Sequence, residues 1–184
     1  MRGLDAFRKV TPKGGASKIG GGDVKRLRAE IAATLSDADA DSLDALAPKN
    51  ATYECVKMSN RVIVYLIDGR PMFLDASGGR WEMFPTVYAL WALRGKSGLT
   101  RLRTHSLVSP KVLGGANLML PGVVLEGDET WEANELVEIG IVDNDDAFAI
   151  GVAACSSEEA KSGGMKGIGV ELAKSAAYIE LSKG

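Results

Sequence analysis

Apolar positions divide the chain into two stretches of different character. From Val24 to Leu35, Val24, Leu27, Ile31 and Leu35 recur at helical spacing. This predicts one amphipathic helix, capped by Asp23, with Lys25 and Arg26 on its solvent side. A short helix is expected near Ser42–Leu46, ending before Pro48. TYECVKM then alternates, and RVIVYLID is almost continuously apolar, as a central strand would be. RPMFLDA follows Asp68-Gly69, a hairpin signal. In MFPTVYALWAL, Pro85 suits the first turn of a helix with Val87, Leu90 and Trp91 on one side. The glycine-rich start, KVTPKGGASKIGGG, reads as a turn or flexible arm, and RGKSG (94–98) has linker composition. Residues 1–95 are therefore expected to form an α/β unit with its own core.

Beyond the linker the pattern shortens. LVSPKVLGGANLMLPGVV, ELVEIGIVD, AFAIGVAA, GIGVELA and AAYIELS read as strands with glycine turns, so residues 96–184 predict a small β-barrel or sandwich. Ser109-Pro110 can open a short helix ending at Gly114. Asn144-Asp145-Asp146 reads as a turn, and Ser156 or Ser157 with Glu158 and Glu159 as the start of one helical turn. The overall class is α+β.

Composition changes this picture little. The hydrophobic share of 46% and charged share of 25% are those of a globular protein. Cys55 and Cys155 lie in apolar runs without CxxC spacing and are expected to be buried thiols. No apolar run is long enough to cross a membrane and the start lacks a secretory core, so a cytoplasmic protein without membrane contact is expected. GGGDVK follows no strand and lacks phosphate-loop spacing; SDADAD lacks the glycine and closing glutamate of a calcium loop. Neither a cofactor nor a metal is expected.

Charge changes it more. Residues 1–28 carry eight Lys/Arg and two acids, a net of +6, and the remainder carries −8. Met83 to Leu125 holds Arg94, Lys96, Arg101, Arg103, Lys111 and His105 with no acid; Glu126 to Ala160 holds eleven acids and no Lys or Arg. Such segregation sets a positive surface beside a negative one and suggests a phosphate-rich partner.

KVLGGANLMLPGVV, followed by AFAIGVAACSSEE and MKGIGVEL, resembles a PUA domain over about residues 103–183. With AFRKV, VKRLRAEI and FPTVYALW, the whole chain resembles the eukaryotic translation initiation factor 2D (ligatin) and MCT-1/Tma20 family. The resemblance implies an N-terminal pre-PUA domain followed by a PUA pseudo-barrel. It also implies work on the small ribosomal subunit and P-site tRNA in non-canonical initiation, reinitiation and post-termination recycling. A SUI1-domain partner of the DENR type, separate or in a C-terminal region, is implied too. The chain stops after the barrel, so it is expected to be either an N-terminal portion or a stand-alone MCT-1-type protein.

The expected RNA-binding residues are Arg94, Lys96, Arg101, Arg103, Lys111, Gly114, Gly115, Ala116, Asn117, Pro121, Gly122, Lys166 and Gly167. Lys111 and Lys166 are placed near one groove whose glycine backbone N–H groups RNA can approach. Lys25, Arg26 and Arg28 make a second basic surface. Two rival classes remain open. A protein-binding scaffold is supported by the acidic stretch EGDETWEANE. The other is the targeting module of an RNA-modifying enzyme; catalysis within this chain would have to rely on His105 with Ser106 or Ser109, or on Asp68 and Asp75, which more naturally form turns.

Overall fold

The computed structural model describes residues 11–127 and 129–173, and these form two compact units, 11–98 and 99–173. The expectations carried by AFRKV and AAYIELS lie outside the described residues.

The first unit is a five-stranded antiparallel sheet in sequential order with three helices. Its strands are β1 (Ser17–Lys18), β2 (Tyr53–Lys57), β3 (Ile63–Ile67), β4 (Arg70–Asp75) and β5 (Met83–Pro85). Its helices are α1 (Gly21–Thr34), α2 (Ala40–Leu46) and α3 (Val87–Leu93). Val64, Tyr65, Leu66 and Ile67 are all buried, so both faces of β3 are covered, as its continuous apolar run predicts. Asp68 and Gly69 take positive φ in the β3–β4 hairpin. Leu27, Ile31 and Leu35 bury the apolar stripe of α1.

Several expectations change here. Residues 11–19 are not a loose arm: Pro12 bridges Met58, β1 pairs with β2, and Ile19 N–H donates to the Tyr53 carbonyl at 3.0 Å. Gly20, not Asp23, is the N-cap of α1; Asp23 lies in the first turn. Pro85 ends β5, and Thr86 caps α3 by accepting from Ala89 N–H. Trp91 lies off the buried side of α3, 45% exposed, with its ring edge against Tyr88 at 5.4 Å. The RGKSG segment is ordered with the first unit, since Ser97 is buried and Gly98 lies against Asp37.

The second unit is a six-stranded, nearly closed sheet. Its strands are β6 (Thr100–Thr104), β7 (Leu118–Met119), β8 (Val123–Val124), β9 (Leu136–Ile141), β10 (Ala147–Ala153) and β11 (Ile168–Leu172), ordered β7-β11-β10-β9-β6-β8. β6 runs parallel to β9 and the other pairs are antiparallel. One 3-10 turn, Leu120–Gly122, joins the two edge strands β7 and β8. Two helices, α4 (Ser109–Leu113) and α5 (Ser157–Ser162), complete the unit. Ser156 and Glu159 form a capping box on α5. Leu102, Val112, Leu118, Val137, Ile139 and Val170 fill the core with Trp131. The Trp131 indole N–H donates to the Cys155 carbonyl at 2.9 Å, so the acidic stretch is pinned to the barrel by its own tryptophan. Both thiols are free and half-buried. Burial pushes both pKa values up, opposed in part by Lys57 at Cys55 and reinforced by Glu159 at Cys155.

Candidate nucleic-acid interface

The arginines of β6 are turned toward acids. Arg101 Nε lies 2.5 Å from Glu138 Oε1, its NH1 donates to the Asp145 carbonyl at 2.5 Å, and Glu138 is 3% exposed. Arg103 Nε lies 3.1 Å from Glu126 Oε2, and its NH1 donates to the Val142 carbonyl. These two side chains pair with Glu138 and Glu126 and so hold the acidic segment 126–146 at two points. Each guanidinium thus commits two of its five N–H donors to protein oxygens and has its charge matched by a carboxylate.

The first unit engages its predicted cations to different degrees. Arg28 ties α1 to α2, donating to the Ala47 carbonyl and to Asp44 Oδ1, both at 2.7 Å. Arg26 lies 4.7 Å over the Trp81 ring, which stacks on Tyr65 at 5.8 Å, and 3.7 Å from Glu30. Lys25 is exposed on the same helix. Lys96 approaches Asp39, the N-cap of α2, at 3.9 Å. The Ser42 hydroxyl and N–H hold the Asp39 carboxyl below its ordinary range, and Lys96 adds to this. Arg94 is exposed at the left-handed C-cap of α3. The second basic surface expected of α1 is thus largely committed to internal contacts.

Lys111, Ala116, Pro121, Lys166 and Gly167 remain exposed at one edge of the barrel. Ala116 N–H donates to the Lys111 carbonyl, and Leu120 N–H donates to the Gly167 carbonyl. Lys111 and Lys166 therefore belong to segments at opposite ends of β7. Asn117 acts within the barrel, where its Oδ1 accepts from Leu172 N–H. Gly122 gives its carbonyl to the Thr104 hydroxyl at 2.6 Å.

The glycine pair also works differently from expectation. Gly114 N–H donates to the Pro110 carbonyl and Gly115 N–H to the Val112 carbonyl, so both amides close α4 and are not offered to RNA. A Cβ on Gly115 would meet no atom within 4 Å; what demands glycine there is φ +90°. The close approach lies at Gly151 on β10, where a Cβ would collide with the Glu171 carbonyl oxygen and Val170 Cγ1. Gly115→Ala is expected to cost about 1–2 kcal/mol through backbone strain. Gly151→Ala is expected to cost about 3 kcal/mol through overpacking. Parallel thermal melts compare them; equal losses would rule out this division.

Sequence reasoning missed an apolar component. Leu107, Leu113, Met119 and Ile168 are 40–88% exposed. Met119 and Ile168 face each other across β7 and β11. The buried–exposed–buried run Leu118-Met119-Leu120 carries the signal for Met119, because a period of two turns the middle residue outward. Lys166 lies two residues before Ile168, and Lys111 is tied through its carbonyl to Ala116, just before β7. Among the described residues no group of His, Cys, Asp and Glu could hold a metal ion.

Comparison with known proteins agrees with this architecture. Residues 7–93 match the family described as Pre-PUA-like domain, and residues 99–176 match elF2D, PUA domain. The chain is 36% identical over 157 residues to eukaryotic translation initiation factor 2D of Oryctolagus cuniculus, covering 82% of this chain and 27% of that protein. It is 27% identical over 137 residues to translation machinery-associated protein 20 of Saccharomyces cerevisiae, covering 72% of each. The chain thus spans about a quarter of the length of the factor 2D proteins it matches. A solved hypothetical protein of Pyrococcus horikoshii has the same fold, with TM-score 0.66, 21% identity, and coverage of 85% of this chain and 92% of that one. A conserved PUA domain protein of Thermoplasma acidophilum gives TM-score 0.63 at 17% identity, covering 86% of this chain and 91% of its own. With both domains matched in order, the chain is a pre-PUA and PUA protein, homologous to the N-terminal region of eukaryotic translation initiation factor 2D and to Tma20.

Proposed function

We propose that this chain is an RNA-binding translation-factor module of the cytoplasm. It acts on the small ribosomal subunit and P-site tRNA in non-canonical initiation, reinitiation and post-termination recycling. One observation carries the proposal: a pre-PUA-like domain precedes a factor 2D-type PUA domain in a single chain. The module binds and positions RNA and transfers no chemical group. Lys111 and Lys166 supply point charges for phosphates, while Leu113, Met119 and Ile168 offer an apolar surface to unstacked bases.

Binding of the purified chain to tRNA and to small-subunit RNA at two salt concentrations tests this. Lys111→Gln with Lys166→Gln is expected to weaken binding roughly tenfold at low salt and to reduce the log–log salt slope by about 1.4–1.8, as two lost phosphate contacts require. Exposed substitutions of this kind leave the melting temperature nearly unchanged. Unaltered affinity and slope would remove this surface from the RNA site. A second reading rests on the exposed acids Glu132, Asp143, Asp145 and Asp146, which fit a basic protein such as a SUI1-domain partner. Capture of that partner without salt-sensitive RNA binding would favour it.

A further inference from the structure

The first unit carries another cationic surface, on segments other than α1. Three segments meet at one end of its sheet. Lys13 N–H donates to the Lys57 carbonyl at 2.9 Å, bringing the N-terminal strand beside the end of β2. The Met58–Val62 hairpin tip follows Lys57 directly, closed by Met58 N–H donating to the Val62 carbonyl at 2.8 Å. The loop after β4 leans on that tip: a Cβ on Gly78 would lie 2.8 Å from the Arg61 carbonyl oxygen. Only glycine permits that approach, at φ +72°.

This place displays Lys13, Lys57, Arg61 and Arg80, all exposed. None of the four forms an ion pair among the described residues. Residues 11–13, 57–62 and 76–81 contain no acid. The support beneath them is rigid. Asp75 is fully buried at the end of β4 and organises the loop that presents Arg80. It accepts from Ser77 N–H and the Ser77 hydroxyl on one oxygen, and from Gly79 and Trp81 N–H on the other. The Ser77 hydroxyl oxygen in turn accepts from Arg80 N–H at 2.9 Å. Arg61 is held at φ +73° in its own turn.

From this geometry we infer that the hairpin tip and the adjoining loop form a second RNA-phosphate contact, made by Lys13, Lys57, Arg61 and Arg80. Two features favour RNA over an acidic protein. Protein interfaces need buried apolar anchors, and none of the exposed large hydrophobic side chains among the described residues lies in these three segments. Phosphate contacts need no such anchor; they need cations presented together on a fixed backbone. The inference rests on different residues from the barrel-edge site, and the two can fail separately.

The test measures binding of the whole chain to tRNA and small-subunit RNA with Arg61→Gln plus Arg80→Gln. The same measurement is made for Lys111→Gln plus Lys166→Gln and for all four changes together. The arginine pair is expected to weaken binding to at least one RNA roughly tenfold and to lower its salt slope by about 1.4–1.8. Its effect should add to that of the lysine pair, because the two pairs share no residue and no hydrogen-bond partner. Lys13→Gln with Lys57→Gln repeats the test should the arginine variant melt early. Unchanged affinity and slope in both of these variants would overturn the inference while leaving the barrel-edge site standing. A chain that binds no RNA would overturn both. If poly-glutamate competed for these residues as well as RNA of equal charge, the surface would be an acidic-peptide site and the inference would fall.

Discussion

Arg101→Glu is expected to unfold the second unit near physiological temperature, lowering stability by about 4–5 kcal/mol, the scale of breaking a buried ion pair. Glu138 is 3% exposed and the Arg101 side chain is 20% exposed, so the pair is shielded from screening. Reversal would set a second carboxylate beside Glu138 and strip the Asp145 carbonyl of its guanidinium donor. Arg101→Gln should lie between the two, since an amide can still donate to Glu138. Circular dichroism melts of the three proteins decide the matter. An Arg101→Glu protein that melts within a degree or so of the parent would show that the pair does not hold the barrel. This reverses what β6 suggests in sequence, where Arg101 reads as an RNA-binding residue. RNA-binding losses in such a variant would report unfolding rather than a missing phosphate contact.

Asp75→Ala should disable the first unit in the same way, by about 3–5 kcal/mol. The carboxylate is fully buried and accepts four hydrogen bonds; without it three backbone N–H groups lose their partner. Each such group left unsatisfied costs about 1–3 kcal/mol, less whatever water recovers. A loss of that size lowers the melting temperature of a unit this small by roughly 15 °C or more. Asp75→Asn keeps one acceptor oxygen and replaces the other with a donor facing a donor, so it should recover only part of the loss. An alanine variant as stable as the parent would show that the loop holds itself. The same carboxylate positions Trp81, on which Arg26 and Tyr65 stack, so its removal also loosens α1.

Local chemistry was the legible part of this fold. Asp68-Gly69, the Ser156–Glu159 box and the short helix from Ser109 to Gly114 are all specified within a few residues, and each formed where the pattern put it. The continuous apolar run of β3 marked the centre of its sheet for the same reason. The misses concern partners far along the chain. Arg101 and Arg103 look uncommitted until folding brings Glu138 and Glu126 beside them. Arg28 looks like surface until α2 presents Asp44 and the Ala47 carbonyl. Residues 11–19 look like an arm because two-residue strands are too short to show a period, and their glycines argue against one. Gly114-Gly115 attracted attention as a pair, yet the tight approach occurs at Gly151, inside an ordinary strand pattern where neighbours on β11 cannot be seen.

The way each sheet is threaded bears on how the chain matures during synthesis. In the first unit every strand pairs with its predecessor, so the meander can be complete once β5 has left the ribosome. In the second, β7 is made early but finds its partner only in β11, at residues 168–172. Until then the nascent barrel waits open along one seam, with Met119 and its apolar neighbours bare. Pairing of β7 with β11 is therefore the last strand pairing that the order of synthesis permits, and it sets Met119 beside Ile168.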